Sequence, residues 1–428
     1  MKAKKRYAQV GVGSRAFMYT AAIIERYGGT SELVGLCDRN EGRLGLYKRW
    51  VAARGTAVPT YLPHQFDAMI QQEKPDIVIV TTQDSSHDHY ICRAMELGCD
   101  VITEKPMTTA LDKCQRIIDT QQQTGKQCRV AFNYRYAPHR TQVKDLLQSR
   151  VIGDVVSVDF HWLLDTHHGA DYFRRWHRRR ENSGGLLVHK ATHHFDLVNW
   201  WLETIPQTVF AQGQRRFYRP EQADQLGLQP RAERCLDCAV AQSCPFCLDL
   251  RQIDSLKRLY LDQEAYDGYQ RDQCVFSSQI DIEDVMNVLV TYANGVQMTY
   301  SLNAFMPWEG YTIVFNGTKG RLEHKCEETV YISGDGTVPG ALKKQGTTIH
   351  IYPHFAPAYA VDVWTGEGGH GGGDGPLLAD IFAPEETADP YQRAAGYKAG
   401  AYSILTGIAA NESMRTATAV PIQDPFQV

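Results

Sequence analysis

The strongest constraint on the fold is the alternation of short apolar runs with helix-like segments over about the first 130 residues. The apolar, strand-like runs lie at 7–12, 33–37, 77–81, 100–103 and 129–132. The helix-like segments between them lie at about 15–27, 41–54, 63–72, 87–97 and 109–123. This alternation predicts βαβ units, which fold into a parallel sheet with right-handed crossover connections.

The pattern changes after Asn133, where strand candidates follow one another directly instead of alternating with helices. Asn294-Gly295 separates two of these candidates with the residues that tight β-hairpins prefer. The predicted fold class is therefore α/β, with an N-terminal Rossmann dinucleotide-binding domain at 1–133. An α+β domain with a large open, mainly antiparallel sheet follows at 134–428, interrupted by a polar, Cys-bearing insertion at about 218–275.

Composition excludes several classes of partner. A chain of 428 residues exceeds one average domain, in line with the two domains predicted above. Its net charge of -4 gives no electrostatic reason to expect nucleic acid or anionic lipid. No run approaches the roughly 20 apolar residues of a membrane helix, and the N-terminus lacks the apolar region of a signal peptide. We therefore expect a soluble, cytoplasmic protein without a nucleic-acid or membrane partner.

A glycine turn follows the first strand-like run. Gly11-Val-Gly13 stands between a strand and a helix, which is the context of the dinucleotide fingerprint, with Ala16 in place of its third glycine. Ser14 and Arg15 continue the turn. We predict that Gly11, Gly13, Ser14 and Arg15 bind a dinucleotide, although such a turn also forms without any ligand.

Asp38 ends the second strand-like run, where a carboxylate accepts the hydroxyls of an adenosine ribose and repels a 2′-phosphate. This favours NAD over NADP as the cofactor. Arg39 beside it is expected to stack on adenine, with binding of NADP as the less favoured alternative. A purely structural role for Asp38 is the N-cap of the following helix.

The tripeptide Glu104-Lys105-Pro106 ends another strand-like run. Pro106 fixes its own φ and pushes Lys105 towards extended geometry. The ammonium group therefore projects from the carboxyl end of a strand, where open α/β sheets bind their ligands.

These motifs together resemble the glucose–fructose oxidoreductase/inositol dehydrogenase/MocA (Gfo/Idh/MocA) family. The motifs that carry the resemblance are Gly11-x-Gly13-x-x-Ala16, Asp38, Thr82…His87, Glu104-Lys105-Pro106 and Gly184-Gly185…His193-x-x-Asp196. The likeness covers residues 1–215 and 280–420. It implies NAD(P)-dependent oxidation of sugar or cyclitol hydroxyls and a homodimer or homotetramer packed through the open sheets.

The resemblance also assigns roles to single residues. Thr82, His87 and Glu104 join the cofactor-binding set together with Lys105. Lys105 is expected to hydrogen-bond the reacting oxygen, because a fixed cation stabilises developing alkoxide charge. His193 is expected to be the general base that takes the hydroxyl proton, a task that suits its pKa.

The chain departs from the commonest family pattern four residues before the catalytic histidine. His189, followed by Lys190, stands where relatives have a carboxylate, and we expect both to act in catalysis. Seven of the fifteen histidines fall between 161 and 194. They are read as surface histidines beside a basic patch, as a polyol pocket rich in donors, or as a catalytic metal site with His189, His193 and His370.

The expected substrate-binding residues lie around this histidine-rich region and in the glycine-rich loop at 366–375. They are Tyr134, Arg135, His167, His168, Trp176, His194 and His370.

Five cysteines are concentrated in the insertion with the spacing C-x₂-C-x₅-C-x₂-C and a distant fifth. In a cytosolic chain this spacing favours a metal site over disulfides, and four thiolates form a closed structural zinc site. An iron–sulfur cluster and reduced, unligated thiols are the alternatives. The resemblance favours Cys235, Cys238, Cys244 and Cys274 as the zinc ligands, with Cys247 as a substitute.

The leading expectation is an NAD-dependent dehydrogenase that acts on a secondary hydroxyl of a sugar, glycoside or cyclitol. A second class is an NAD-dependent glycosidase, which oxidises a hydroxyl transiently, eliminates the aglycone and restores the hydroxyl. The third is a non-catalytic sensor of NAD or sugar, against which the retention of Lys105 and His193 argues.

Overall fold

A computed structural model of the chain describes residues 3–329, 338–383 and 388–426. In these ranges the strands form two sheets, one of seven and one of nine strands. Within the same ranges no helix is both long and apolar enough to cross a membrane.

The first sheet is a parallel sheet with one short antiparallel edge strand. Its strands are β1 (Lys5–Val10), β2 (Ser31–Cys37), β3 (Thr60–Tyr61), β4 (Ile77–Val80), β5 (Asp100–Thr103), β6 (Cys128–Val130) and β15 (Ala395–Gly396). Their order is β3-β2-β1-β4-β5-β6-β15, in which β15 alone pairs antiparallel. This is the doubly wound order of a Rossmann fold, whose switch point lies between β1 and β4. The predicted Rossmann fold is confirmed.

Helices cover both faces of this sheet, which explains why β4 consists of four buried apolar residues instead of an alternating pattern. The helices of this part are α1 (Phe17–Ala21), α2 (Glu41–Ala52), α3 (Phe66–Glu73), α4 (His87–Glu96) and α5 (Leu111–Thr124). The apolar side chains on the two faces form separate cores.

The second sheet is mixed and mostly antiparallel. Its strands are β7 (Val155–Asp165), β8 (Pro206–Gln214), β9 (Val285–Tyr292), β10 (Gln297–Met306), β11 (Glu309–Gly317), β12 (Gly320–Glu328), β13 (Thr348–Pro353), β14 (Tyr359–Val361) and β16 (Val420–Pro421). Their order is β14-β13-β12-β11-β7-β10-β9-β8-β16, with β7 and β10 as a parallel pair. Alternate residues of β9 are buried and exposed, so one face of the sheet packs and the other stays open.

The remaining helices pack on the covered face of this sheet, pack against the first sheet, as α15 does, or lie in the connections. They are α6 (Pro138–Gln148), α7 (Thr166–Arg174), α8 (Arg180–Ser183), α9 (Leu186–His189), α10 (Thr192–Leu202), α11 (Pro220–Gln225), α12 (Asp254–Leu259), α13 (Glu264–Asp267), α14 (Gly369–Gly372), α15 (Asp374–Phe382) and α16 (Tyr397–Thr416). The insertion predicted from the sequence lies between β8 and β9 and holds the short helices α11 to α13.

The structure has strands that the sequence pattern did not predict. Residues 395 and 396 pair with β6 as a seventh strand just before α16, and β13, β14 and β16 extend the second sheet. The two-residue strand β3 was not predicted at all, since Thr60-Tyr61 is too short to show a hydrophobic period.

Candidate active site

The glycine turn lies at the switch point of the parallel sheet, against the end of β4. Gly11 has a φ of +86°, and a Cβ atom there would lie 2.6 Å from the main-chain carbon of Thr81. Only glycine fits this close approach. Gly13 accepts a hydrogen bond on its carbonyl from the Tyr47 hydroxyl at 2.6 Å, which fixes the turn over α2.

Asp38 follows β2 and lies directly under this turn. One carboxylate oxygen accepts the Val12 N–H at 2.7 Å, and the other accepts the Asn40 N–H at 2.8 Å. The expected N-cap role falls to Asn40 instead, whose side chain accepts the Arg43 N–H at 2.9 Å. Asp38 therefore links the glycine turn to β2, as a carboxylate at the adenosine end of a dinucleotide site does.

A cleft of about 330 Å³ runs along these residues. Six of the predicted cofactor-binding residues in its wall come from the β1 turn and the end of β2, namely Gly11, Gly13, Ser14, Arg15, Asp38 and Arg39. A second cleft, of about 800 Å³, continues from the first. Residues shared by both walls are Ser14, Arg15, Thr81, Thr82, Arg175 and Trp176.

Glu104 is held at the end of β5 by residues of the first turn after β1. Arg15 donates to its carboxylate at 2.6 Å, and the Tyr19 hydroxyl donates to the same oxygen at 2.8 Å. Burial raises the pKa of Glu104, but Arg15 outweighs this effect and leaves the pKa below its usual value. Glu104 thus stays ionised and fixes the start of the Glu-Lys-Pro segment.

Lys105 lies in the wall of the larger cleft, and its Nζ donates to the His189 carbonyl at 3.2 Å. Burial lowers the pKa of Lys105 to about 8, while the carboxyl of Asp84 acts in the opposite direction. His87 supports the same segment, because its Nδ1 lies 2.8 Å from the Pro106 carbonyl. The ammonium group is therefore fixed in place and titrates near physiological pH.

His193 lies in the first turn of α10, and its ring stacks on Tyr134 with 3.9 Å between the ring centroids. The side chain is buried, and its Nδ1 has no hydrogen-bond partner among the described residues. Burial lowers the pKa of His193 well below its usual value, and the charges of Lys105 and Lys190 add to this effect. A neutral imidazole that lines the cleft with an unpaired nitrogen suits proton abstraction.

His189 contacts a carboxylate from a distant part of the chain. Its Nδ1 contacts a carboxylate oxygen of Asp84, which follows β4 at the same sheet edge as Lys105. The His177 ring packs against His189 with 4.2 Å between centroids. The carboxylate that relatives supply from the same helix is thus provided here by the loop after β4.

Lys190 lines the cleft beside Tyr134, whose hydroxyl accepts its Nζ at 3.0 Å. The same ammonium lies 4.9 Å from the ring centroid of Trp162. Burial lowers the pKa of Lys190. Lys190 and Lys105 together make the wall of the cleft rich in hydrogen-bond donors.

Four of the expected substrate-binding residues line the larger cleft, namely Tyr134, His168, Trp176 and His370. His168 is held by Glu309 at 2.9 Å and by the Tyr172 hydroxyl at 2.8 Å. His370 lies 2.9 Å from a carboxylate oxygen of Asp374.

The structure places the other three expected substrate residues elsewhere, which corrects the sequence interpretation. His167 is exposed on α7, because the cleft side of that helix is taken by His168. His194 stacks on Trp162 and bonds Tyr300 at 2.7 Å in the core of the second sheet. Arg135 forms a buried bidentate ion pair with Asp196, at 2.6 and 2.8 Å.

Several residues that line the clefts were not predicted as site residues, among them Asp84, Arg175, Tyr260 and Arg271. Asp84 carried a usable signal, since it follows a strand of the parallel sheet at its ligand-binding edge. Tyr260 and Arg271 come from the insertion and Arg175 directly follows α7, and none of the three belonged to a motif.

The structure does not support the zinc prediction. In residues 3–329, 338–383 and 388–426, no group of three or more His, Cys, Asp or Glu is placed to hold a metal ion. The five thiols of the insertion, Cys235, Cys238, Cys244, Cys247 and Cys274, line one small cavity together with apolar side chains. None of these five cysteines forms a disulfide among the described residues. Because the described residues contain no such group, the alternative of a catalytic metal site at His189, His193 and His370 is not supported either.

Asp84 has a testable effect on the pH dependence of the site. Asp84→Asn removes the carboxyl that raises the pKa of Lys105, so that pKa falls further below about 8. We expect the alkaline limb of the profile of kcat against pH to move to lower pH. Asp112→Asn, at an exposed position of α5, serves as the control. An alkaline limb that stays in place in Asp84→Asn contradicts this coupling.

The residues of the smaller cleft fit a dinucleotide. The glycine turn leaves no room for a side chain, and the carboxylate of Asp38 stands at the end of β2. The larger cleft adds the half-buried Lys105 and the neutral His193 beyond the turn. Dinucleotide and substrate would thus occupy two joined clefts at the switch point of the sheet.

Comparisons with known proteins agree with this arrangement. A family model described as "Oxidoreductase family, NAD-binding Rossmann fold" matches residues 5–132, and one described as "Oxidoreductase family, C-terminal alpha/beta domain" matches residues 144–422. The Bacillus subtilis protein YteT, named as an oxidoreductase, is 38% identical over 426 residues, which is 98% of each chain.

Two more distant similarities extend the comparison. A glycosyl hydrolase family 109 protein of Akkermansia muciniphila is 26% identical over 205 residues, 44% of this chain and 40% of that protein. The structure of the WlbA dehydrogenase from Bordetella pertussis, in complex with NADH and UDP-GlcNAcA, superposes with a TM-score of 0.64 at 17% identity. That superposition covers 98% of this chain and 99% of the other, and it shows a shared fold. Since the two family models and YteT together match nearly the whole sequence, the chain belongs to the Gfo/Idh/MocA family of NAD(P)-dependent oxidoreductases.

Proposed function

We propose that this enzyme is an NAD-dependent oxidoreductase that oxidises a secondary hydroxyl of a sugar, glycoside or cyclitol. The proposal rests on one observation. Lys105 and a neutral, buried His193 line the same cleft, and this cleft joins the dinucleotide cleft. The named relatives support the substrate class, because WlbA was crystallised with a sugar nucleotide.

The chain's own residues provide the proton chemistry. A bound nicotinamide supplies the hydride acceptor. His193 takes the hydroxyl proton on a ring nitrogen, since burial keeps the imidazole neutral. The ammonium of Lys105 stabilises the negative charge that develops on the same oxygen.

The rest of the wall suits a polyhydroxylated ligand. Lys190 and the Tyr134 hydroxyl form one polar pair, and His177 contributes a buried Nδ1 without a hydrogen-bond partner among the described residues. Trp176 adds an aromatic surface at the junction of the two clefts. Aromatic faces and convergent donors of this kind fix the orientation of small polar ligands.

The test is a panel of free sugars, glycosides and cyclitols incubated with the purified protein and NAD. Accumulation of NADH with at least one free sugar or cyclitol is the expected result. Substrates with the reacting hydroxyl removed must be inactive. If no member of the panel produces NADH or any other product, the dehydrogenase proposal fails and a sensor role takes its place.

A second candidate is a glycosidase that oxidises a hydroxyl only transiently. The similarity to the glycosyl hydrolase family 109 protein favours it, and the His189–Asp84 pair offers a second acid and base beside His193. This activity releases an aglycone without net formation of NADH. Measuring both products on the same glycosides separates the two functions.

Preference for NAD over NADP is part of the proposal and rests on Asp38. Asp38→Ser removes a carboxylate that repels a 2′-phosphate and that lies 3.5 Å from the Arg43 guanidinium, which Asp267 still holds. We expect the ratio of the NADP affinity to the NAD affinity to rise about tenfold or more. Fluorescence titration with both cofactors measures it, and Glu41→Gln on the exposed side of α2 is the control. Equal ratios in the wild type and Asp38→Ser would show that Asp38 does not select the cofactor.

We also propose that the enzyme forms a homodimer or homotetramer through the open face of the second sheet. Leu289 of β9 lies on this face and is 53% exposed. Such a face is suited to packing against a second copy of the chain. Light scattering of the purified protein measures the oligomeric state.

A further inference from the structure

The insertion between β8 and β9 covers the outer side of the dinucleotide cleft. Residues 254–272 of the insertion, here called the strap, comprise α12, α13 and the turns beside them. The strap lies directly on α2: a Cβ atom on Gly42 would lie 1.9 Å from the Gln263 side-chain oxygen. The Gln263 carbonyl also accepts the Asn40 side-chain N–H at 3.0 Å. Glycine at position 42 thus permits the contact.

Tyr260 of the strap contacts the glycine turn itself. Its hydroxyl accepts the Ser14 N–H at 3.1 Å and donates to the Ser14 Oγ at 3.2 Å. Backbone N–H groups at the start of this first helix are the donors that bind phosphate in dinucleotide folds. Tyr260 therefore occupies the position of a phosphate acceptor in the structure described here.

Two arginines surround Tyr260. The guanidinium of Arg271 lies 4.7 Å from the Tyr260 ring centroid, and Arg175 lines the junction of the two clefts. Although burial raises it, the pKa of Tyr260 is lowered by these two positive charges. The Nε and Nη1 atoms of Arg271 are buried without hydrogen-bond partners in the described part of the chain. The Nη2 atom of Arg271 donates to Asp171 at 3.2 Å, so the guanidinium, which lines the larger cleft beside Tyr260, keeps two buried donors for an anionic ligand.

Asp267 lies at the other end of the strap, on the adenosine side of the cleft. Its carboxylate accepts a hydrogen bond from Arg43 and lies 3.5 Å from the Nε of Arg39. Arg43 also faces Asp38. The strap thus contacts both the diphosphate end and the adenosine end of the cleft.

The cysteine-bearing turns hold the strap in place. Arg234, next to Cys235, pairs with Glu264 and Asp272 of the strap at 2.7 Å each. The main chain of Cys235 donates to the Asp272 carbonyl at 2.8 Å. The insertion is therefore one unit, with the thiol cavity at its base and the strap over the cofactor.

We propose that the strap is a second half of the dinucleotide site, in which Tyr260 and Arg271 bind the diphosphate of the cofactor and so retain it. When the dinucleotide binds, the Tyr260 hydroxyl leaves the Ser14 N–H and donates to a diphosphate oxygen, while Ser14 N–H donates to the same group. The inference rests on the nicotinamide cofactor of the proposed function. It adds that the strap must open before the cofactor exchanges.

The test measures binding of NADH and of ADP-ribose, a probe that carries the diphosphate without nicotinamide. Tyr260→Phe removes only the hydroxyl, and Arg271→Met removes the charge. We expect Arg271→Met to weaken both ligands about tenfold or more. Tyr260→Phe should weaken them severalfold and speed the dissociation of NADH, while binding of adenosine, which lacks the diphosphate, stays unchanged in both variants.

The matched control is Asp262→Asn, which breaks only the exposed pair with Lys257 on the outer side of the strap, at 3.0 Å. It must leave both affinities and the dissociation rate unchanged. Wild-type affinity and dissociation rate in both Tyr260→Phe and Arg271→Met overturn the proposal. A raised KM for an anionic substrate in Arg271→Met, with unchanged cofactor binding, also overturns it and assigns the guanidinium to the substrate. A wild-type protein that binds no dinucleotide instead refutes the proposed function.

Discussion

Lys105→Met is expected to lower kcat about a hundredfold to a thousandfold while leaving the affinity for NADH nearly unchanged. The half-buried ammonium of Lys105 faces the larger cleft from the end of β5, and Lys190 lines the same cleft. Its stabilising effect grows as the reacting oxygen gains charge, so its loss acts on the transition state more than on the bound substrate. Steady-state kinetics with the best substrate of the panel measures kcat and KM separately.

The control for this variant is Lys48→Met on the exposed side of α2. It changes the net charge by the same amount and should leave kcat unaltered. A fall in NADH affinity as large as the fall in kcat would instead place Lys105 among residues that only bind the cofactor. Unchanged kcat in Lys105→Met would remove it from the mechanism.

Lys105 also sets one side of the pH dependence. Because burial lowers its pKa to about 8, the ammonium is present below that pH and is lost as the pH rises through it. Activity that needs the cation should therefore decline above about pH 8. On the acid side the limit comes from protonation of His193, whose pKa lies well below its usual value. Between these limits both groups hold the protonation states that the proposed chemistry requires.

Much of this site was predictable because its parts are local in sequence. The glycine turn, Asp38 and Glu104-Lys105 each directly follow a strand of the parallel sheet, and such strand ends meet at one edge. A strand pattern therefore locates the side chains that follow it. The Rossmann sheet and the mostly antiparallel second sheet were predicted for the same reason, from the period of their apolar residues.

The residues that escaped prediction are joined by contacts between distant parts of the chain. His189 meets Asp84 across 105 positions, and Ser14 meets Tyr260 across 246. No spacing rule reports such pairs. The sequence has no carboxylate four residues before His193, whereas the fold brings one to His189 from the loop after β4.

The sequence also could not show which of two neighbouring histidines lines the cleft. His193 and His194 are consecutive on α10, and successive side chains of a helix point about 100° apart. His193 consequently lines the cleft, while His194 packs under Trp162 in the core of the second sheet. The direction of the helix relative to the cleft decides between them, and that direction depends on tertiary packing.

The second experiment on the site, complementary to Lys105→Met, removes the proposed general base His193. His193→Phe keeps an aromatic ring against Tyr134, whose centroid lies 3.9 Å from that of the imidazole, but has no nitrogen to accept a proton. We expect kcat to fall about a hundredfold to ten-thousandfold, the range typical of a lost general base. The affinity for NADH should stay within about twofold of wild type, because the base contacts the substrate and not the dinucleotide.

A structural role for His193 is separated from a catalytic one by two readouts. In His193→Ala, added imidazole should restore part of the rate in proportion to its neutral form, so the rescue grows as the pH rises through the pKa of free imidazole. The acid limb of the wild-type profile should also disappear from the residual activity of His193→Phe, since the group that titrates there is gone. His89→Asn, at an exposed position of α4, is the control and should behave like wild type. Full activity in His193→Phe, or an acid limb that persists in it, would assign the proton to another group, for which His189 with its Asp84 partner is the next candidate.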